Sequence, residues 1–410
     1  MRMSRGWPPV VAAMFCCGWG GNQFTPLLLM YRQMGGYSEV TVDAFLAAYV
    51  VGLVPGLLVA GPLSDRHGRK PLMLAGTVLS VVASAVLTGV PLGQPAIYAG
   101  RFLTGVAVGV AMAVGTSWVK ELSQPPYDDP GPGTGARRAS LGLTGGFGLG
   151  AGIAGVLAQW APWPMVLPYV VHVVVTLPAL ALLVRAPETR TAARAGRLLQ
   201  DLRVPAAGHR RFLRVVLPMA PWIFGAAGIA YAVMPQLEAD KVGDAGLAYA
   251  TLLTVLTLGT GAAVQPLAKR MAARSTTRPV ITGMTLMTAG MALCATDAAL
   301  RSQWLALGGA MVLGAAYGFV LVSGLMEIQR IATPDDLAGL TGVFYALAYT
   351  GFLGPTLLAA LSAATTYVVM LAAVALLALA CLAVVAMSVR TVAVPRAEET
   401  APVPAASRTV

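Results

Sequence analysis

The chain has 410 residues, of which 57% are hydrophobic and only 11% charged, and its mean hydropathy is +0.73. A soluble domain carries roughly 25% charged residues, so the composition excludes a soluble globular fold and points to an all-α membrane protein with many spans. The net charge of +11 would suit nucleic acid in a soluble chain. Here it fits basic loops that set membrane topology.

A spanning helix needs about 20 apolar residues, and the apolar runs predict twelve. In the first half of the chain they are Pro9–Tyr31, Val42–Gly61, Leu72–Pro91, Ala96–Val119, Ser140–Trp160 and Pro164–Val184. In the second half they are Phe212–Leu237, Ala245–Ala268, Pro279–Thr296, Gln303–Ile328, Leu337–Ala360 and Thr366–Val389. The first run lacks a small-residue cleavage site and reads as a span, not a removed leader. Between the halves, residues 185–211 are polar and arginine-rich, too charged to span. From 391 to 410 the chain is rich in Pro, Ala and Glu, the composition of a disordered tail. This divides the chain into a six-helix bundle over 1–184, a linker over 185–211, a second bundle over 212–390 and the tail.

With both termini placed in the cytoplasm, 24 of the 28 Lys and Arg residues fall on that side. Only Arg32, Lys241 and Arg301 fall in outer loops, and Arg101 lies inside the fourth segment. The bias predicts a multi-pass protein of a bacterial inner membrane. Cys16, Cys17, Cys294 and Cys381 all lie in apolar runs without metal spacing and read as packed thiols.

Between the second and third segments stands Gly61-Pro62-Leu63-Ser64-Asp65-Arg66-His67-Gly68-Arg69-Lys70-Pro71. A block this charged must be a tight turn at a membrane surface. The halves echo each other. Gln265-Pro266-Leu267-Ala268-Lys269-Arg270 repeats the start of that turn, with Lys269 where the acid would recur. Gly142-Leu143-Thr144-Gly145-Gly146-Phe147 recurs as Gly339-Leu340-Thr341-Gly342-Val343-Phe344, and Gly105/Gly109 recurs as Gly314/Gly318. Such a repeat implies two bundles with a binding site between them near mid-membrane.

The charged turn resembles the loop signature of the major facilitator superfamily. Arg101, Gly105 and Gly109 resemble that superfamily's second motif. The Gly142 to Gly155 run resembles the glycine-rich motif of its twelve-helix drug–proton antiporters. Gly150-Ala151 replaces the usual Gly-Pro pair, and a Gly354-Pro355 pair stands in the eleventh segment instead. The resemblance implies a conformational latch at Gly61, Asp65, Arg66, Gly68, Arg69 and Lys70, with Glu121 completing its charges. It also implies a cavity lined by the first, fourth, seventh and tenth segments.

The residues add their own expectations. Asp65 can aim at the N-terminus of the eleventh segment, after Pro334-Asp335-Asp336, where free N–H groups favour an anion. Its alternative is a solvated turn that only fixes topology. Arg101 either bridges to the Asn22 carbonyl, which Pro26 leaves without a helical partner, or snorkels to the outer surface. His172 is either a proton carrier or a hydrogen-bonded core histidine. Glu327 is either a coupling acid or an interfacial charge paired with Arg330. Gly105, Gly109, Gly146, Gly150 and Gly354 are expected to form smooth packing faces. Asn22, Gln23, Trp222, Tyr231 and Tyr317 are the candidate cavity residues, and their amides and rings suit a neutral or weakly cationic organic molecule.

No Walker, GxSxG or zinc spacing is present, and the linker lacks interleaved aromatics that would stack on nucleic acid. The expectation is a monomeric, cofactor-free, non-enzymatic transporter in lipid, exporting a drug or metabolite in exchange for protons. The alternatives are uptake of a sugar or organic acid by the same fold, and a non-transporting sensor or scaffold.

Overall fold

A computed structural model describes residues 6–89, 93–129, 131, 133–190, 204–333 and 336–391. The middle of the expected linker and the tail beyond Thr391 lie outside these residues, as do Arg2, Arg5, Pro334 and Asp335.

The first expected segment is split. Helix α1 (Trp7–Asn22) stops at Asn22, a short 3-10 turn covers Thr25–Leu27, and α2 (Leu28–Gln33) continues. Gly20 and Gly21 weaken the end of α1 and Pro26 removes an N–H, so the backbone cannot carry one ladder through. The other helices are α3 (Glu39–His67), α4 (Arg69–Thr88), α5 (Gln94–Glu121), α6 (Thr134–Trp160) and α7 (Leu167–Leu183). They continue as α8 (Phe212–Leu237), α9 (Gly246–Arg274), α10 (Arg278–Leu300), α11 (Gln303–Ile331), α12 (Leu337–Leu361) and α13 (Tyr367–Thr391). Among the described residues ten helices are long and apolar enough to cross a membrane, while α7 is a shorter apolar helix. The chain is a multi-pass membrane protein.

Local chemistry sets the helix ends. Ser38 caps α3, its Oγ accepting from the Thr41 N–H at 3.2 Å. Gly68 alone separates α3 from α4, at φ +99°. A side chain there would be strained and would also meet a Glu188 oxygen at 2.5 Å. Prolines open α1, α5 and α10, where their missing N–H costs nothing. Wide π turns interrupt α5 at Ala111–Gly115 and α8 at Phe212–Val216 and Ile229–Val233.

Glycine lets backbones touch. A Cβ on Gly105 would lie 2.0 Å from the Tyr49 carbonyl oxygen, and one on Gly109 2.5 Å from the Leu57 nitrogen, so α5 presses directly on α3. Gly314 and Gly318 do the same between α11 and α9, at 2.3 Å from the Thr257 oxygen and 2.2 Å from the Gly261 oxygen. The repeated glycine pairs therefore perform the same contact in each half of the chain. Gly146 and Gly150 seat α6 against Phe15 and Trp19 of α1, at 2.1 Å and 2.6 Å. Gly354 departs from expectation: nothing lies within 4 Å of its Cβ position, because that side of α12 faces outward, so it is not a packing glycine. The contact in α12 falls to Gly351, 2.1 Å from the Pro221 oxygen.

Three large apolar clusters fill the interior. One lies within residues 212–389, and one within the first half around Trp118 and Met14. The third joins the halves, packing Phe24, Phe45 and Tyr49 with Tyr231, Tyr349 and Phe352. Cys16, Cys17 and Cys294 are buried, and Cys381 is half-buried.

Candidate functional site

The charged turn gathers most of the expected latch. Arg69, only 5% exposed, places Nη2 2.8 Å from Asp65 Oδ1 and 2.9 Å from Glu121 Oε1, and its Nη1 donates to Ser64 Oγ. A Cβ on Gly61 would lie 4.0 Å from the Ala113 Cβ, an ordinary contact between α3 and α5. Lys70 contributes its backbone N–H, and Arg66 sits half-buried beside the cluster.

Three residues just after α7 complete it. The Glu188 carboxylate accepts from the N–H groups of Arg69 and Lys70 at 3.0 and 2.9 Å, capping the first turn of α4. Thr189 donates its hydroxyl to Glu121, and Arg190 Nη2 lies 3.0 Å from Asp65 Oδ1. Partial burial pushes the Glu188 pKa up, but four backbone N–H donors outweigh it and hold the carboxyl below the ordinary glutamate value. Nothing local in the sequence pairs Glu188 with a turn 119 residues away.

Among the described residues the partners of Asp65 in this structure are Arg69 and Arg190. A full guanidinium charge folded back under the turn competes well against the partial charge of a helix end. Pro334 and Asp335, which precede α12, lie outside the described residues.

Arg101 is wholly enclosed, so it does not snorkel. It does bridge α5 to α1, but to a different acceptor. Nη1 reaches the Gly21 carbonyl at 3.5 Å, Nε reaches the Phe45 carbonyl at 3.3 Å, and the rings of Phe24 and Tyr49 lie 4.5 and 4.6 Å from its Cζ. Gly21 lies in the last turn of α1, where carbonyls lack intrahelical partners. Asn22 is engaged elsewhere: its Nδ2 donates to the Phe147 carbonyl at 3.0 Å, and its Oδ1 accepts from Thr25 at 2.7 Å.

His172 is a satisfied core histidine in this structure. Gln23 Nε2 donates to Ser84 Oγ at 3.0 Å, Ser84 Oγ lies 2.8 Å from His172 Nδ1, and His172 Nε2 lies 2.9 Å from the Cys16 carbonyl. The carbonyl can only accept, so Nε2 carries a hydrogen and Nδ1 can accept from Ser84. The neutral ring thus fits the chain Gln23, Ser84, His172, Cys16 with both ring nitrogens partnered.

Glu327 pairs with Arg330 at 2.6 Å, as its spacing predicts, and also with Arg211, which donates from both Nε and Nη2. Glu327 is fully buried and Arg211 nearly so. The two ends of the linker therefore each supply an arginine to a glutamate, Arg190 beside Glu121 and Arg211 to Glu327.

The aromatic centre differs from expectation. Trp222 packs in the core of the second half. Tyr231 and Tyr317 do lie centrally, next to Phe352 and Phe224. The closest ring contact is between Phe224 and Tyr349, stacked at 4.0 Å, and Tyr349 also meets Tyr49 across the halves at 6.1 Å. Tyr49 and Tyr349 were not candidates, because α3 and α12 were not expected to line the centre.

At the end opposite the charged turn the halves are tied by polar groups. Gln236 accepts from Arg32 at 2.9 Å and donates to the buried Asp43 at 3.3 Å. Thr356 donates to the Asp43 carbonyl at 2.8 Å, Tyr367 donates to Glu39, and Gln159 donates to the Asp244 carbonyl at 2.8 Å.

Solved structures share the fold. Among solved structures, a peptide transporter POT superposes with a TM-score of 0.76 at 12% identity, covering 94% of each chain. The nucleoside transporter NupG gives 0.73 at 13% identity, covering 93% of this chain and 99% of that one. These likenesses show the fold. The 4-hydroxybenzoate transporter PcaK of Pseudomonas aeruginosa is 32% identical over 202 residues, 45% of this chain and 38% of its own length. The multidrug resistance protein MdtL of Klebsiella pneumoniae is 33% identical over 79 residues, 19% of this chain and 20% of its own length. Each match thus spans well under half of the relative. The relatives are transporters rather than enzymes. The family model for the Major Facilitator Superfamily matches residues 10–238, more than half of the chain, and the chain belongs to that superfamily.

Proposed function

We propose that the protein is a secondary active transporter that exports a small organic compound in exchange for protons. It works by rocker-switch alternating access in a bacterial inner membrane, with both termini and the charged turn in the cytoplasm. Twelve spans form two six-helix bundles, 1–184 and 212–390, with α1 and α2 counted as one broken span. The repeated glycine contacts of α3 on α5 and α9 on α11 support this division.

The observation that carries the mechanism is the unequal closure of the two ends. At the outer end Arg32 and Asp43 of the first half grip Gln236 of the second. At the inner end Asp65 is held within its own half and by Arg190. The arrangement fits a state closed outside, in which the latch has let go of the second half. Resemblance to MdtL supports export. The longer match to PcaK favours a second reading, proton-driven uptake of an organic acid.

Flux into proteoliposomes under an imposed pH gradient separates the two. Antiport predicts substrate accumulation when the lumen is the more acidic side, and symport when the bath is, with protein-free liposomes subtracting passive entry. A panel of labelled drugs and organic acids that shows no gradient-dependent flux in either direction contradicts both readings and favours a sensor or scaffold.

A further inference from the structure

Arg101 is distinguished from the other deeply buried arginines by its partners. Arg69 and Arg211 each lie against carboxylates, at Asp65 and Glu121 and at Glu327. Among the described residues Arg101 has no acid within ion-pair distance. It meets two main-chain carbonyls at 3.3 and 3.5 Å, and its Nη2 has no hydrogen-bond partner at all. Main-chain dipoles and the faces of Phe24 and Tyr49 offset only part of the cost of enclosing a guanidinium. Nearby polar groups are hydroxyls: Tyr31 and Tyr169 pair with each other at 2.7 Å, and Tyr49 and Tyr231 lie within electrostatic reach. Among the described residues no counter-charge stands beside Arg101.

The place of Arg101 suggests where that charge comes from. Tyr49, which covers one face of the guanidinium, is the same ring that meets Tyr349 across the two halves. Phe224 and Phe352 extend that aromatic wall. Tyr49 thus touches both the aromatic wall between the halves and the guanidinium of Arg101. A planar donor fork matches a carboxylate better than any point charge does.

We propose that Arg101 is the anion-binding group for the transported compound, and that this compound is a small organic carboxylate bearing a flat ring. The carboxylate sits on the Nη2 edge and the ring lies among Tyr49, Tyr349 and Phe224. The assignment rests on the transporter reading above and holds for export or uptake alike. It replaces the neutral or weakly cationic ligand that the amides and aromatic residues alone suggested.

Benzoate and the near-isosteric but neutral benzamide test it directly. Binding is followed by thermal protection of the full-length protein in detergent at constant ionic strength, with chloride and sulfate as inorganic-anion controls. The wild type is expected to bind benzoate at least about tenfold more tightly than benzamide, with no protection from either inorganic ion. In Arg101→Gln the preference is expected to fall below about twofold, with Arg101→Lys in between. Equal protection by both compounds, protection by neither, equal protection by chloride or sulfate, or a preference retained in Arg101→Gln overturns the proposal. If Arg101→Gln does not fold, the wild-type ratio decides alone. Benzoate binding without counterflow in proteoliposomes would overturn the transport reading and leave the binding site standing.

Discussion

Glu327→Ala is expected to cost about 3–5 kcal/mol of stability, because it breaks a buried ion pair by removing one member. Glu327 is fully enclosed and holds Arg211, itself 1% exposed, and Arg330. Alanine removes the anion that both Arg211 and Arg330 contact. The expected readout is a large drop in thermal stability in detergent and in the amount of protein recovered from membranes. The double variant Glu327→Met with Arg211→Met is expected to recover most of the loss, since apolar side chains of similar length replace the buried pair and Arg330, 20% exposed, can turn to solvent. A cost under about 1 kcal/mol for Glu327→Ala would show that the pair is not structural. Loss of transport with full stability in Glu327→Gln would instead return Glu327 to the role of a coupling acid.

Asp65→Asn is expected to reduce transport at least about tenfold while leaving the protein in the membrane at normal levels. Asp65 is partly exposed, and its carboxylate lies between Arg69 and Arg190. Asparagine keeps the shape and loses the charge that both arginines read. Folding tolerates this because Glu121 still holds Arg69 and Glu188 still caps α4. Switching does not tolerate it, since the acid must leave one cation and accept another partner as the inner end closes. Flux normalised to protein amount checks the prediction, and near-normal flux would sink the latch.

The sequence made some of this architecture legible and hid the rest. The charged turn, the apolar runs and the repeated Gly105/Gly109 and Gly314/Gly318 pairs were readable because each signal is local and periodic. The triad of Asp65, Arg69 and Glu121 followed from the family resemblance. What stayed hidden depends on distant partners. Glu188 and Arg190 look like ordinary linker charges until the chain folds back over the turn. Arg211 was one arginine among many until it met Glu327. Arg101 was recognised as costly, but its acceptor on α1 is the Gly21 carbonyl instead of that of Asn22. The grip of Gln236 on Arg32 and Asp43 joins residues about 200 positions apart, and no spacing rule announces it.

Rocker-switch transport requires the two halves to open alternately at opposite ends. Spin-label distances in lipid test it most directly, with one pair at Gln33→Cys and Asp244→Cys and a second at His67→Cys and Ala338→Cys, in a background cleared of reactive native cysteine. All four positions are exposed, and each pair places one label on either half of the chain. Conditions driving transport are expected to lengthen the first distance while shortening the second, with both shifts abolished by Asp65→Asn. Two distances that stay fixed, or that lengthen and shorten together, would contradict it.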